Sequence, residues 1–464
     1  MTAQHVTTDA ILSEDTVKTF QASLRGELLR PGDTGYDEAR TIWNAMIDKN
    51  PALIARCLGV ADVITSVNFA RATNLLVAVR GGGHSFPGNS VCDGGLMIDL
   101  SQMKGMRVDP TKRTVRAEAG VKWGEFDQET QAFGLATTGG TNTDTGIAGL
   151  TLGGGAGWLM RKYGLVVDNL LSVDVVTADG RFLTASASEH AELFWGLRGG
   201  SGNFGIATSF EYQLYPVGPV LGGMVIHPIE KARDVLKFYH EYAGAAPDEL
   251  MTATAVMTSP EGQPVVAIVA CYHGAIEEGE KVVRPLREFG PPVADHLQAM
   301  PYTVMQTLLD DALPPGRRSY VKTNFMKDLS SDAIGTLRER FAAAPSPYSF
   351  LALFQLGGAV GRVGRDDTAF SYRDAGYHFI IWSAWEDPAE DETNIHWVRQ
   401  SWEAMQPFRS EGVYVNELSA DENEAQDRVL EAYSPATYHR LVALKNKYDP
   451  TNFFRLNPNI KPTV

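Results

Sequence analysis

Val79-Arg80-Gly81-Gly82-Gly83-His84-Ser85 follows directly on the apolar run Leu75-Leu76-Val77-Ala78. A short apolar run bounded by glycine reads as a strand entering a tight turn. Three successive glycines carry no Cβ, so backbone N–H groups can approach a pyrophosphate that side chains would block. Arg80 adds charge for the same anion. The run is neither G-x-G-x-x-G nor a Walker loop, so Rossmann and kinase readings do not fit. Taken alone, a short glycine run is more often a plain turn, with His84 as a polar turn residue.

A second cluster shifts the balance. From Gly134 to Gly157 the chain reads GLATTGGTNTDTGIAGLTLGGGAG. A flexible linker would not interleave Leu135, Ile147, Leu150 and Leu152 with its glycines. Gly146-Ile147-Ala148-Gly149 and Gly153-Gly154-Gly155-Ala156-Gly157 offer a second backbone-only surface. Arg198-Gly199-Gly200-Ser201-Gly202-Asn203-Phe204-Gly205-Ile206 offers a third. Surfaces of this kind in one lobe suit an extended dinucleotide threaded between them.

Around these blocks GGLMIDL, TVRAEAG and LLSVDVVTADGRFLTAS read as strands, with Asp179-Gly180 as a hairpin turn. The spacing of apolar residues predicts an amphipathic helix over residues 37–49. Beyond Val217, helix-like segments (KARDVLKFYHEYA, DAIGTLRERFAAA, ETNIHWVRQSWEAM) alternate with strand-like ones (PVVAIVACYH, SFLALFQL, YHFIIWSAW). That pattern predicts an α+β lobe in which helices cover a sheet. At 464 residues, two lobes are the natural expectation.

Composition excludes several function classes. A net charge of -15 argues against nucleic acid and against an anionic membrane surface. No apolar run approaches the roughly 18 residues of a membrane span. The N-terminal stretch lacks a basic start and an apolar core, so no secretory signal is read and a cytoplasmic location is expected. Cys57, Cys92 and Cys271 are far apart, which disfavours a disulfide framework. The ten histidines show no HxH or HExxH pairing, so no metal site is expected.

In order and spacing, RGGGHSFPG, GLTLGGGAGWLMRKYGLVVDNLL, ELFWGLRGGSGNFGI and YDPTNFFRLNPNI resemble the vanillyl-alcohol oxidase superfamily. More narrowly, they are similar to its berberine-bridge-enzyme-like branch, and the likeness runs over nearly the whole chain. The resemblance implies a two-lobe α+β fold of the vanillyl-alcohol-oxidase type. Residues 1–215, completed by 410–464, would bind FAD; residues 216–409 would form an antiparallel-sheet substrate lobe covered by helices. It implies FAD bonded through His84 to the 8α carbon of the flavin. Asn142 stands where many members carry a second linking cysteine, so single attachment is expected.

Cofactor contacts implied by the resemblance are Arg80, Gly81, Gly82, Gly83, His84, Ser85, Gly88, Gly140, Thr141, Thr145, Gly146, Gly149, Gly155, Gly157, Trp158, Gly205, Ile206, Asn416 and Asn457. Thr145 is the residue that faces the flavin in the family and influences access of oxygen; many members have valine there. Asp144, just before it, does not match the pattern of the two relatives that the chain most resembles. Tyr414, in Tyr414-Val415-Asn416, stands where several relatives have the base that takes a substrate proton. A phenol near pKa 10 needs help from neighbours in that role; a buried tyrosine with a backbone partner is the bland alternative.

In the substrate lobe, Gln355 is the polar candidate of its strand, and alternation aims it toward or away from the site with equal ease. Tyr302, Tyr320, Phe325, Tyr372, Trp382 and Trp385 are more often core aromatics than ligand contacts. Trp158 and Tyr163 adjoin the flavin segment. The implied activity is oxidation of an alcohol or amine carbon of a small organic molecule, with molecular oxygen as acceptor. The alternatives are a flavin-N5-oxide monooxygenase of secondary metabolism and a flavoprotein that only sequesters a ligand.

Overall fold

The strand that opens the glycine loop is one edge of a four-stranded sheet. In the computed structural model, which describes residues 12–419 and 425–464, Val77–Arg80 pairs parallel with Leu96–Asp99. Leu96–Asp99 pairs parallel with Leu53–Arg56, and Glu27–Leu29 adds antiparallel at the far edge. Parallel neighbours need a crossover. Helix Val60–Thr73 makes the crossover from Leu53–Arg56 to Val77–Arg80, with Leu96–Asp99 later filling the place between them, and buries Val63, Val67 and Ala70 on one stripe. It ends at Asn74, whose left-handed backbone (φ 54°) receives the chain for the next strand.

A second sheet of five antiparallel strands runs in the order Met106–Asp109, Thr114–Glu118, Ile206–Gln213, Leu170–Val176, Phe182–Ser186. Gly180 turns the last hairpin with φ 80°, as its Asp-Gly pair predicts. The apolar core between these sheets also takes in Val413, Leu441, Phe454 and Ile460 from the far end of the chain. That return is pinned by Lys445. Fully buried, it donates to Asn203 O (3.0 Å), Phe454 O (2.8 Å) and Asp449 Oδ2 (2.7 Å). Asn203 in turn bonds Pro458 O and the Ile460 N–H.

Residues between these parts build a large antiparallel sheet. Val220–Pro228, Pro264–Tyr272, Leu250–Thr258, Phe350–Gln355, Tyr377–Trp385 and Arg318–Met326 lie side by side in that order. Helices Ala232–Gly244, Ile276–Glu288, Ser331–Ala342 and Asp391–Met405 cover one face through a core that includes Leu221, Val266, Leu353 and Trp397. The mixed α+β architecture agrees with the expectation from the sequence.

The helix predicted over 37–49 does not form. Helix is confined to Tyr36–Arg40, and Thr41 is extended (φ -68°, ψ 132°). The physical reason is competition from tertiary hydrogen bonds. Trp43 N–H donates to Gly83 O, Gly316 N–H to Trp43 O and Ala45 N–H to Arg317 O, while the Asn44 amide spans Phe86 and Ser319. These bonds occupy the groups a helix would need. Among the described residues no helix is long and apolar enough to cross a membrane, and no group of three or more His, Cys, Asp or Glu is placed to hold a metal ion.

Candidate active site

A cavity of about 1020 Å³ opens between the glycine blocks and the uncovered face of the large sheet. One side is largely backbone. Gly81, Gly82, Gly83, His84 and Ser85 line it from the first block; Gly140, Thr141, Asn142, Thr145, Gly146 and Gly149 from the second; Ser201, Gly202, Gly205 and Ile206 from the third; Asn457 from the tail. The first two blocks touch without side chains. A Cβ on Gly82 would lie 2.4 Å from Gly146 N, and one on Gly146 would lie 2.5 Å from Gly82 N. The glycine signal in the sequence thus has two causes, close packing of the loops and an open wall.

Four of the candidate residues sit behind that wall and do not line the cavity. The Arg80 guanidinium turns back to donate to Ala39 O. Gly88 (φ 73°) faces Ile47, Gly155 (φ 80°) packs on Val166, and Gly157 leaves no room before Gly139 O. They shape the loops.

His84 lies at the junction of the two blocks. Its ring stacks on Trp43 (centroids 4.5 Å, 30° between planes) and meets Phe86 edge-on at 5.9 Å. Its Nε2 is buried and 3.3 Å from Asp144 Oδ1, yet forms no aligned hydrogen bond. Burial alone would raise the Asp144 carboxyl, but its neighbours, His84 first and Lys122 beyond, bring it below its ordinary value.

Tyr414 reaches the cavity from the returning segment. Its hydroxyl accepts from Gly155 N–H (2.9 Å) and from Asn416 Nδ2 (2.9 Å), and Asn416 Nδ2 also donates to Leu150 O. Gly153 makes room, since a Cβ there would meet Asn416 Oδ1 at 1.9 Å. Burial, then the Glu417 charge, push the Tyr414 phenol above its usual range; the two N–H donors pull the other way.

Most of the opposite side is apolar. Met224, Ala253, Ala255, Met257, Ala267, Val269, Phe350, Ala352, Phe354, Ile380 and Trp382 line it. Strand alternation settles Gln355: Phe350, Ala352 and Phe354 face the cavity, and Gln355 faces the helices, bonded to Thr252 Oγ1 and Ala243 O. Of the other aromatic candidates, Trp158 and Trp382 line the cavity; Tyr163, Tyr302, Tyr320, Phe325, Tyr372 and Trp385 do not. Tyr163 instead stacks on Tyr215 and bonds His273.

The sequence reading missed His378 and Glu417. Both line the cavity, and His378 Nε2 lies 2.9 Å from Glu417 Oε2, with the N–H out of line for a hydrogen bond. Period-2 patterning marks His378 as one position in an apolar strand; nothing in a single sequence pairs it with Glu417. Trp43 was likewise hidden inside the expected helix.

A backbone-lined groove with His84 in its wall fits an extended dinucleotide. Comparison with known proteins agrees on the cofactor class. A family model for an FAD binding domain matches residues 51–186, and one described as berberine and berberine-like matches residues 413–461. An FAD-linked oxidoreductase of Dictyostelium discoideum is 33% identical over 96% of this chain and 97% of its own length. The (R)-6-hydroxynicotine oxidase of Paenarthrobacter nicotinovorans is 30% identical over 95% and 97%. The crystal structure of 6-hydroxy-D-nicotine oxidase from Arthrobacter nicotinovorans superposes with a TM-score of 0.88 at 28% identity, covering 95% of this chain and 98% of that one. A carbohydrate oxidase from Microdochium nivale shares the fold at a TM-score of 0.84 and 24% identity, covering 97% of this chain and all of that one. This chain belongs to the berberine-bridge-enzyme-like family of FAD-linked oxidoreductases.

Proposed function

We propose that this oxidoreductase holds FAD covalently through His84 and oxidises a hydroxyl- or amine-bearing carbon of a small, mainly apolar molecule, with dioxygen as acceptor. FAD, when bound, takes the hydride and passes the electrons on. In this reading residues 1–215 and 410–464 serve as the cofactor lobe and 216–409 as the substrate lobe. The observation that carries the proposal is that His84 and Tyr414 line one cavity, glycine backbone on one side and apolar sheet on the other.

The glycine blocks take the dinucleotide with Thr141, Thr145, Trp158, Ile206 and Asn457 around it. Attachment is single. Asn142 has no thiol, and Cys57, Cys92 and Cys271 are buried, outside the cavity lining, with thiols pushed up by burial to about 12, 11 and 12. Such thiols are poor nucleophiles at neutral pH. Thr145, at the cavity wall, governs access of oxygen. Its hydroxyl also favours one second reading, the flavin-N5-oxide monooxygenase.

Tyr414 meets the substrate hydroxyl or amine and takes its proton. Two N–H groups directed at its oxygen favour the anion, against burial. His378 and Glu417 add polarity beside Tyr414, while the alanines of the sheet leave room for a hydrocarbon body. The test is a substrate screen read by peroxide release, followed by anaerobic mixing. An oxidase substrate bleaches the flavin; a protein that bleaches with none of the compounds it binds is a sequestering flavoprotein.

A further inference from the structure

We propose that Asp144 is a positioning residue for His84 in flavin attachment, an inference that rests on His84 carrying the covalent bond. The imidazole is stacked on Trp43 and meets Phe86 edge-on, and its buried Nε2 lies 3.3 Å from Asp144 Oδ1. Asp144 is itself anchored on both sides. Thr143 bonds Asp310 through its N–H (2.9 Å) and hydroxyl (2.6 Å), and Thr145 O accepts from Trp123 N–H (3.0 Å). Among the described residues no hydrogen bond from another side chain holds the Asp144 carboxylate where it stands.

A neutral imidazole carries its proton on one nitrogen, and the partner of that nitrogen selects which. A carboxylate beside Nε2 keeps the proton there and leaves the Nδ1 lone pair free. With Nε2 buried, Nδ1 is the nitrogen left for the cavity. Attachment then forms one C–N bond from Nδ1 to the flavin 8α carbon and breaks one C–H bond of its methyl group. The methyl hydrogen and the Nε2 hydrogen leave as protons, and two electrons pass into the flavin. Dioxygen takes up both electrons and both protons as hydrogen peroxide, which restores the oxidised cofactor. The ring is positively charged between bond formation and loss of the Nε2 proton, and Asp144 offsets that charge.

The experiment compares parental protein, Asp144→Asn and Asp144→Glu as purified, each still carrying flavin. Flavin retained in the acid-precipitated pellet is divided by total flavin, with peptide mass spectrometry at His84 as the second readout. We expect the covalent share to fall at least roughly tenfold in Asp144→Asn with FAD still bound, and to recover in Asp144→Glu. Should Asp144→Asn not fold, Asp144→Ala incubated with FAD and formate gives an equivalent reading: formate speeds attachment when a carboxylate is what the site lacks. An undiminished covalent share in Asp144→Asn, or no effect of formate on Asp144→Ala, overturns the inference while leaving His84 as the link. A parental protein with no covalent flavin overturns both.

Discussion

The rings of His378 and Tyr414 meet edge to face, their centroids 5.3 Å apart and their planes at 84°. The contact brings the Tyr414 phenol and the His378 imidazole together at one place in the cavity. Replacing Tyr414 by Phe removes the hydroxyl and keeps that ring contact. We expect flavin reduction to slow by at least roughly 10²-fold, about 2.7 kcal/mol of barrier, with FAD still bound. Anaerobic stopped-flow with a substrate from the peroxide screen reads it. A near-parental rate makes Tyr414 structural and moves the search for the base to His378.

His84→Ala tests single attachment. The three thiols are buried and Asn142 cannot substitute, so the variant should lose all its flavin to the supernatant on acid denaturation, where parental pellets stay yellow. Flavin kept in the variant's pellet means that another residue forms a bond.

Thr145→Leu fills the cavity wall beside Gly146. Reoxidation of the reduced flavin by oxygen should slow more than its reduction by substrate. If neither half-reaction changes in stopped-flow, Thr145 does not control oxygen access.

Gly146→Ala isolates the loop contact. Gly146 has an ordinary φ of -68°, so backbone strain is no part of the cost; the added methyl collides with Gly82. Overpacking of this kind costs about 1–3 kcal/mol. We expect a lower melting temperature and incomplete FAD occupancy, read from the ratio of flavin to protein absorbance. Full occupancy with parental melting shows that the two loops separate easily.

Asp127 yields a pH prediction. Burial raises its carboxyl to about 7, with Gln306, whose Nε2 lies 2.6 Å from Oδ2, pulling weakly the other way. An unfolded aspartate titrates near 3.9. The protonated form therefore suits the folded state, and the stability it contributes is whole below about pH 4 and lost as pH rises to about 7. Asp127→Asn should gain on the parent across that window and hold its advantage above it, on the order of a few kcal/mol at most. Paired thermal melts from pH 4 to 8 check this; a difference independent of pH rules it out.

What the sequence made legible is local. Strand–glycine–histidine order, the Asp179-Gly180 hairpin and alternating apolar strands each declare themselves within a few residues. So do the covering helices, through their 3.6-residue period. What stayed hidden depends on partners far away in the chain. Residues 41–47 carry helical spacing but give their hydrogen bonds to Gly83, Arg317 and Ser319. Gln355 and Phe354 differ by one step of a strand, and only the assembled sheet decides which faces the cavity. Arg80 looked like an anion ligand and is consumed by the carbonyl of Ala39. His378 and Glu417 come from a strand and a loop that no pattern joins.

The tail that Lys445 and Asn203 lock in place brings Asn457 to a groove whose glycines are translated far earlier. During synthesis the glycine loop and His84 emerge long before the tail that completes their own side of the groove. We expect tight capture of FAD to wait until the segment through Ile460 has left the ribosome and docked on Asn203. On that expectation, premature stops anywhere between Tyr414 and Ile460 yield colourless product.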